Sequence, residues 1–118
     1  RGEDGLDEIT LAAETKVTEL KNGSLRTYHI KPEDFGFKRC GLEDLKGGDP
    51  EQNAEIIRVI LKGKRGAQYD VVLLNAAAAI CAGGMSNSIE EGISCARGSI
   101  DSGSALDKLN KLVEMTNK

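Results

Sequence analysis

Between residues 14 and 31, apolar and β-branched side chains lie on both sides of Asn22-Gly23. That dipeptide accepts positive φ at both central positions of a type I′ turn, so the pattern predicts a two-residue β-hairpin. In this register Leu20 faces Leu25 and Thr18 faces Thr27 on one side, while Val17 faces Tyr28 and Glu19 faces Arg26 on the other. Pro32 lacks the N–H that a ladder needs and closes the second strand. A lone hairpin is marginal in water, so this one must lean on other structure.

From Pro32 to Asp49 the pattern is broken by Gly36, Gly41, Gly47 and Gly48, which leaves connecting structure with short turns such as Leu42-Glu43-Asp44-Leu45. Asp49 then stands as an N-cap, with Pro50 at the first helical position and Gln52 completing a capping box. Ala54, Ile57 and Leu61 recur at helical spacing as far as Gly63. Asp70 to Ala82 is ambiguous, because Val71-Val72-Leu73-Leu74 reads as a buried strand and the alanines that follow read as helix. Its length favours a single buried helix, stopped at Gly83-Gly84 and lined with alanines that let a neighbour approach closely. Ser88 and Glu91 form a second capping box before Ile89, Ile93, Ala96 and Ile100. A last helix carries Leu106, Leu109 and Val113 on one stripe, with Lys108, Lys111 and Lys118 toward its negative end.

Composition narrows the partners. The 118 residues carry 16 Lys+Arg against 19 Asp+Glu, a net charge of −3, so no basic surplus points to nucleic acid. Aromatics are only 3% and Trp is absent, so the core is built from small aliphatic side chains in close-packed helices. One domain is expected at this length. No apolar run reaches the roughly 20 residues of a spanning helix, and no leader pattern opens the chain, so a cytoplasmic protein without membrane association is expected. Three cysteines, Cys40, Cys81 and Cys95, show no paired spacing and fit reduced thiols, those on the predicted helices being buried. The chain opens on Arg1 directly into a polar motif, the start expected of a piece of something longer.

The strongest chemical cue is Gly2-Glu3-Asp4-Gly5-Leu6-Asp7-Glu8, with four carboxylates beside two glycines that free the backbone. Mg²⁺ commonly takes one or two carboxylates and completes its shell with water and substrate phosphates, so an acidic loop of this kind is a half-site. Asp7 and Glu8 are the best placed. The alternative is a solvated acidic segment. Lys46-Gly47-Gly48-Asp49 running into a helix resembles a phosphate site, but Asp49, Glu51 and Glu55 put carboxylates where the anion would sit, which favours a turn with an N-cap. His29, the single histidine, has no acid or cysteine at catalytic spacing, and no base stands near Cys81 or Cys95. The residues themselves propose no catalytic group.

Taken together, Gly2 to Glu8, Pro32-Glu33-Asp34-Phe35-Gly36, Leu42 to Asp49 and Leu73-Leu74-Asn75-Ala76-Ala77-Ala78 resemble the C-terminal third of the anthranilate phosphoribosyltransferase family. Ser99-Ile100-Asp101-Ser102-Gly103, followed by Ala105, Leu106 and Leu109, extends the resemblance. It implies an α/β parent fold, the large domain shared by phosphoribosyltransferases and nucleoside phosphorylases. Residues 1–118 would be the C-terminal segment of that catalytic domain: acidic metal loop 1–13, β-hairpin 14–31 and a helical part, 49–118, of about four helices. The implied reaction joins anthranilate to phosphoribosyl diphosphate in tryptophan biosynthesis, with Mg²⁺ as cofactor held by Asp7 and Glu8 at the diphosphate. The resemblance also implies a homodimeric parent. The Gly-rich diphosphate loop, the anthranilate-holding segments and the helical domain of the family are not among these residues, so the chain alone is expected to be inactive. Two other readings stay open, a related pyrimidine-nucleoside phosphorylase-type enzyme and a non-catalytic helical interaction module whose apolar face seeks a partner.

Overall fold

The computed structural model describes residues 1–118. The order of elements is β1 (Thr15–Lys21), β2 (Ser24–Ile30), 3₁₀ turns at Pro32–Phe35 and Leu42–Leu45, then α1 (Pro50–Leu61), α2 (Ala67–Ala82), α3 (Ile89–Asp101) and α4 (Ser104–Thr116). The chain divides into two compact units, residues 1–45 and 46–118. The hairpin closes on its own loops and the helices on one another, because each set of apolar positions finds partners nearby in sequence. No helix is long and apolar enough to cross a membrane.

In the first unit, β1 and β2 pair antiparallel from Thr15↔Ile30 to Lys21↔Ser24, in the register set by the turn. Asn22 has φ 51° and Gly23 φ 77°, the left-handed pair a type I′ turn requires. Cross-strand pairs form as the pattern predicts: Thr18 and Thr27 share a hydroxyl hydrogen bond of 3.0 Å, and Arg26 reaches Glu19 at 3.2 Å while lying over the Tyr28 ring. At the strand ends Thr15, Ile30 and Pro32 are buried, as is Phe37, whose N–H donates to the Pro32 carbonyl at 3.1 Å. Leu20 and Leu25 near the turn remain 69% and 75% exposed.

The segment after β2 is held by two carboxylates. Asp34 accepts from Lys31 N–H at 2.9 Å and caps the first 3₁₀ turn. Glu33 receives Arg39 through both its oxygens, at 2.9 and 3.1 Å, and this hydrogen-bonded guanidinium holds the Glu33 pKa down at about 2.

In the second unit, α1 begins with the capping box read from sequence: Gln52 N–H donates to Asp49 Oδ1 at 2.9 Å and Asp49 N–H to Gln52 Oε1 at 3.0 Å. Of the expected stripe Ala54, Ile57 and Leu61, only Leu61 is half-buried. Ile60 is buried, Ile56 and Val59 are half-buried, and Ala54 and Ile57 face solvent. The apolar residues Ile56, Ile57, Val59, Ile60 and Leu61 form two overlapping stripes, since successive residues stand about 100° apart around the axis, and packing selects one of them.

The ambiguous run is a single helix, as its length implies, but it starts at Ala67. Its Tyr69, Leu73, Leu74 and Ala77 are buried. Arg65 lies over the Tyr69 ring, donates to its hydroxyl and reaches Asp101 at 3.3 Å, tying the start of α2 to the end of α3. Burial pushes the Asp70 carboxyl upward, opposed by the charges of Arg97 and Arg65.

The facing side of α3 presents Gly92, Ile93, Ala96 and Ile100. A Cβ at Gly92 would stand 2.5 Å from the Ala77 carbonyl oxygen, so the α2 backbone occupies the space that a side chain would take. Cys95 is exposed, contrary to the expectation of a buried thiol, because it lies about 200° around the helix from Ile93. Only half of the second capping box forms: Ser88 Oγ accepts from Glu91 N–H at 3.2 Å, while the Glu91 carboxylate takes the Asn87 N–H at 2.9 Å. Along α4, Leu106 and Leu109 are half-buried and Leu112 and Met115 exposed.

Candidate functional site

Residues 1–14 form an irregular loop laid against β1. Gly2 bridges Thr15, Glu3 N–H donates to the Glu14 carbonyl at 2.8 Å, and Lys16 N–H donates to the Arg1 carbonyl at 2.9 Å. Gly2 N–H closes onto the Leu6 carbonyl at 2.9 Å, which turns the chain back before Asp7.

The four carboxylates of this loop have different tasks. Asp4 is structural, accepting from Leu6 N–H at 3.0 Å and from the Thr10 hydroxyl at 2.6 Å. Glu3 pairs with His29 Nε2 of β2 at 3.3 Å. Asp7 and Glu8 stand exposed at the turn, with no ion pair to a basic side chain of the loop. Two of the four acids are thus spent within the chain and two are presented outward.

No group of three or more His, Cys, Asp or Glu side chains gathers into a metal cage. Two presented carboxylates fit a hard cation that takes most of its oxygen ligands from water and a phosphate-bearing partner, and they do not fit a closed protein site.

The other sequence cues resolve against chemistry. Gly48 N–H donates to Asn53 Oδ1 at 2.7 Å, and the Asp49 and Gln52 N–H groups are consumed by the capping box, so Lys46 to Asp49 offers no anion cradle. His29 is half-exposed and engaged with Glu3. Sequence reasoning missed Thr10 and Thr15, which are buried and brace the acidic loop. Their bonds join residues five and six apart in irregular backbone, where no periodicity announces them. The available signal was Asp4-Gly5, a pair suited to a side-chain-capped turn.

Comparison with known proteins places the chain. Residues 1–106 match the family described as glycosyl transferase family, a/b domain. An anthranilate phosphoribosyltransferase of Methanobrevibacter smithii is 50% identical over 116 residues, covering 98% of this chain and 35% of that protein. The crystal structure of anthranilate phosphoribosyltransferase from Thermus thermophilus superposes with a TM-score of 0.86 at 40% identity, covering 98% of this chain and 34% of that one. The Saccharomyces cerevisiae enzyme in complex with phosphoribosyl diphosphate and Mg superposes with a TM-score of 0.81 at 31% identity, over 92% and 32% of the two chains. The chain spans about a third of the length of the curated relatives it matches.

Proposed function

The chain belongs to the glycosyl transferase family, as part of its a/b domain, and from that premise we propose that it is the C-terminal segment of an anthranilate phosphoribosyltransferase. The observation that carries this reading is the 50% identity over 116 residues, 98% of the chain, with an enzyme of that name. The complete enzyme transfers the phosphoribosyl group of phosphoribosyl diphosphate to anthranilate in tryptophan biosynthesis, with loss of diphosphate. It works in the cytoplasm as a homodimer, and the acceptor site lies in the N-terminal remainder of the enzyme.

Within this assignment Asp7 and Glu8 are the residues that would hold Mg²⁺. When bound, the ion would supply positive charge to a diphosphate leaving group. The contribution of the chain itself is electrostatic and positional. Asp7 and Glu8 are presented as anionic oxygens toward solvent, and Asp4 turns inward to shape the loop that carries them. No side chain of this segment is assigned a proton transfer, and the exposed pairing of His29 with Glu3 accords with that.

The fluorescence of anthranilate provides the test. Full-length protein containing this chain should consume anthranilate when given phosphoribosyl diphosphate and Mg²⁺, and residues 1–118 alone should not. A full-length protein that leaves anthranilate untouched but cleaves pyrimidine nucleosides with phosphate would overturn the assignment in favour of the phosphorylase branch.

A further inference from the structure

We propose that Asp4 and Thr10 are positioning residues for the pair Asp7 and Glu8, an inference that rests on the divalent-ion reading of that pair. Both oxygens of Asp4 are used inside the loop, Oδ1 by Leu6 N–H at 3.0 Å and Oδ2 by the Thr10 hydroxyl at 2.6 Å. The Thr10 oxygen accepts in turn from Ala12 N–H at 3.0 Å, and Thr10 N–H donates to Thr15 Oγ1 of β1 at 3.2 Å. Thr10 and Thr15 are 1% and 2% exposed, so the bond between them is shielded from water and those that Thr10 makes with Asp4 and Ala12 are partly shielded, while the Leu6 bond is exposed.

The five residues from Gly5 to Ile9, which carry both outward acids, are therefore tied at each end and anchored to a strand. Asp7 and Glu8 themselves are exposed, so nothing packed around their side chains orders them. The buried brace does that instead. A loop ordered before binding loses less conformational entropy when a cation joins its carboxylates, and leaving even one residue to be fixed on binding costs about tenfold in affinity.

Side-chain chemistry separates positioning from charge. Asp4→Asn removes the charge but keeps an oxygen for Leu6 N–H, and its amide N–H₂ can donate to Thr10, whose hydroxyl oxygen has a second lone pair. Asp4→Ala removes the brace. Thr10→Val keeps the shape and deletes the hydroxyl, while Thr10→Ser restores it.

The experiment is a titration of Mn²⁺, followed by its electron paramagnetic resonance, into full-length protein containing this chain with phosphoribosyl diphosphate present. Thermal midpoints are recorded alongside. Asp4→Ala and Thr10→Val should weaken Mn²⁺ binding about tenfold, with Asp4→Asn and Thr10→Ser close to the parent. Wild-type affinity in Asp4→Ala and Thr10→Val, alongside lost binding in Asp7→Asn/Glu8→Gln, would overturn the positioning role and leave the metal pair standing. Unchanged binding in Asp7→Asn/Glu8→Gln would overturn both. Asp4→Asn as weak as Asp4→Ala with normal Thr10→Val would make Asp4 a charge and sink the brace. If Thr10→Val does not fold, the contrast between Asp4→Ala and Asp4→Asn decides alone.

Discussion

Replacing Gly92 by alanine tests the packing of α2 on α3. The new Cβ would lie 2.5 Å from the Ala77 carbonyl oxygen and 3.0 Å from both its carbonyl carbon and its Cα. These are backbone atoms and cannot rotate aside, so relief to an ordinary contact of about 3.5 Å needs roughly 1 Å of separation between the helices. Overpacking of this kind costs about 1–3 kcal/mol. Alanine returns about 1 kcal/mol through its better helix propensity, leaving a net loss of up to about 2 kcal/mol. Gly98 supplies the control on the same helix, because a Cβ there meets nothing within 4 Å. Gly98→Ala should gain about 0.5–1 kcal/mol from the reduced freedom of the unfolded chain. The two substitutions are chemically identical, so propensity cancels and the crossing alone separates them, by about 2 kcal/mol. With a urea slope of about 1–2 kcal/mol per molar, their unfolding midpoints should stand about 1 M or more apart, Gly98→Ala above the parent and Gly92→Ala below it. A Gly92→Ala midpoint equal to that of Gly98→Ala would refute the close backbone contact.

Two further outcomes are expected. At the hairpin turn, Gly23→Ala places a Cβ on a residue with φ 77° and should cost about 1 kcal/mol, read as a lower thermal midpoint; equal stability would show that the turn relaxes to another type. The Glu33 carboxylate should titrate near 2 rather than at its ordinary 4.5 because Arg39 hydrogen-bonds its charged form. A depressed folded-state pKa means that the pair contributes above pH 4.5 and is lost as pH falls toward 2. Carboxyl-carbon NMR should show Arg39→Gln raising the midpoint toward the ordinary value, and an unchanged midpoint would remove Arg39 as its cause.

The local elements were legible in the sequence because their causes are local. Asn22-Gly23 can take two positive φ angles in succession, and that preference sets the register of the whole hairpin. Asp49-Pro50 with Gln52 caps α1 through atoms three residues apart. The family could be read for a related reason: the ordered motifs from Gly2 to Leu109 coincide with the matched span, residues 1–106, over nearly its whole length. The acidic pair was visible as composition, and its exposure at a turn agrees with the two glycines beside it.

Tertiary structure decided which of several equivalent faces is buried. Helix α1 carries two stripes that satisfy the same period, and only contact with its neighbours selects Ile60 over Ile57. Cys95 is exposed because α3 turns Gly92 and Ile93 toward α2, a choice invisible in the residues around the thiol. The division of labour in the acidic loop was likewise hidden: Asp4 and Asp7 are the same residue three positions apart, and one is drawn inward by the Thr10 hydroxyl. Local backbone preference acts between near neighbours and is written in the sequence, whereas burial and buried hydrogen bonding depend on groups that meet only when the chain folds.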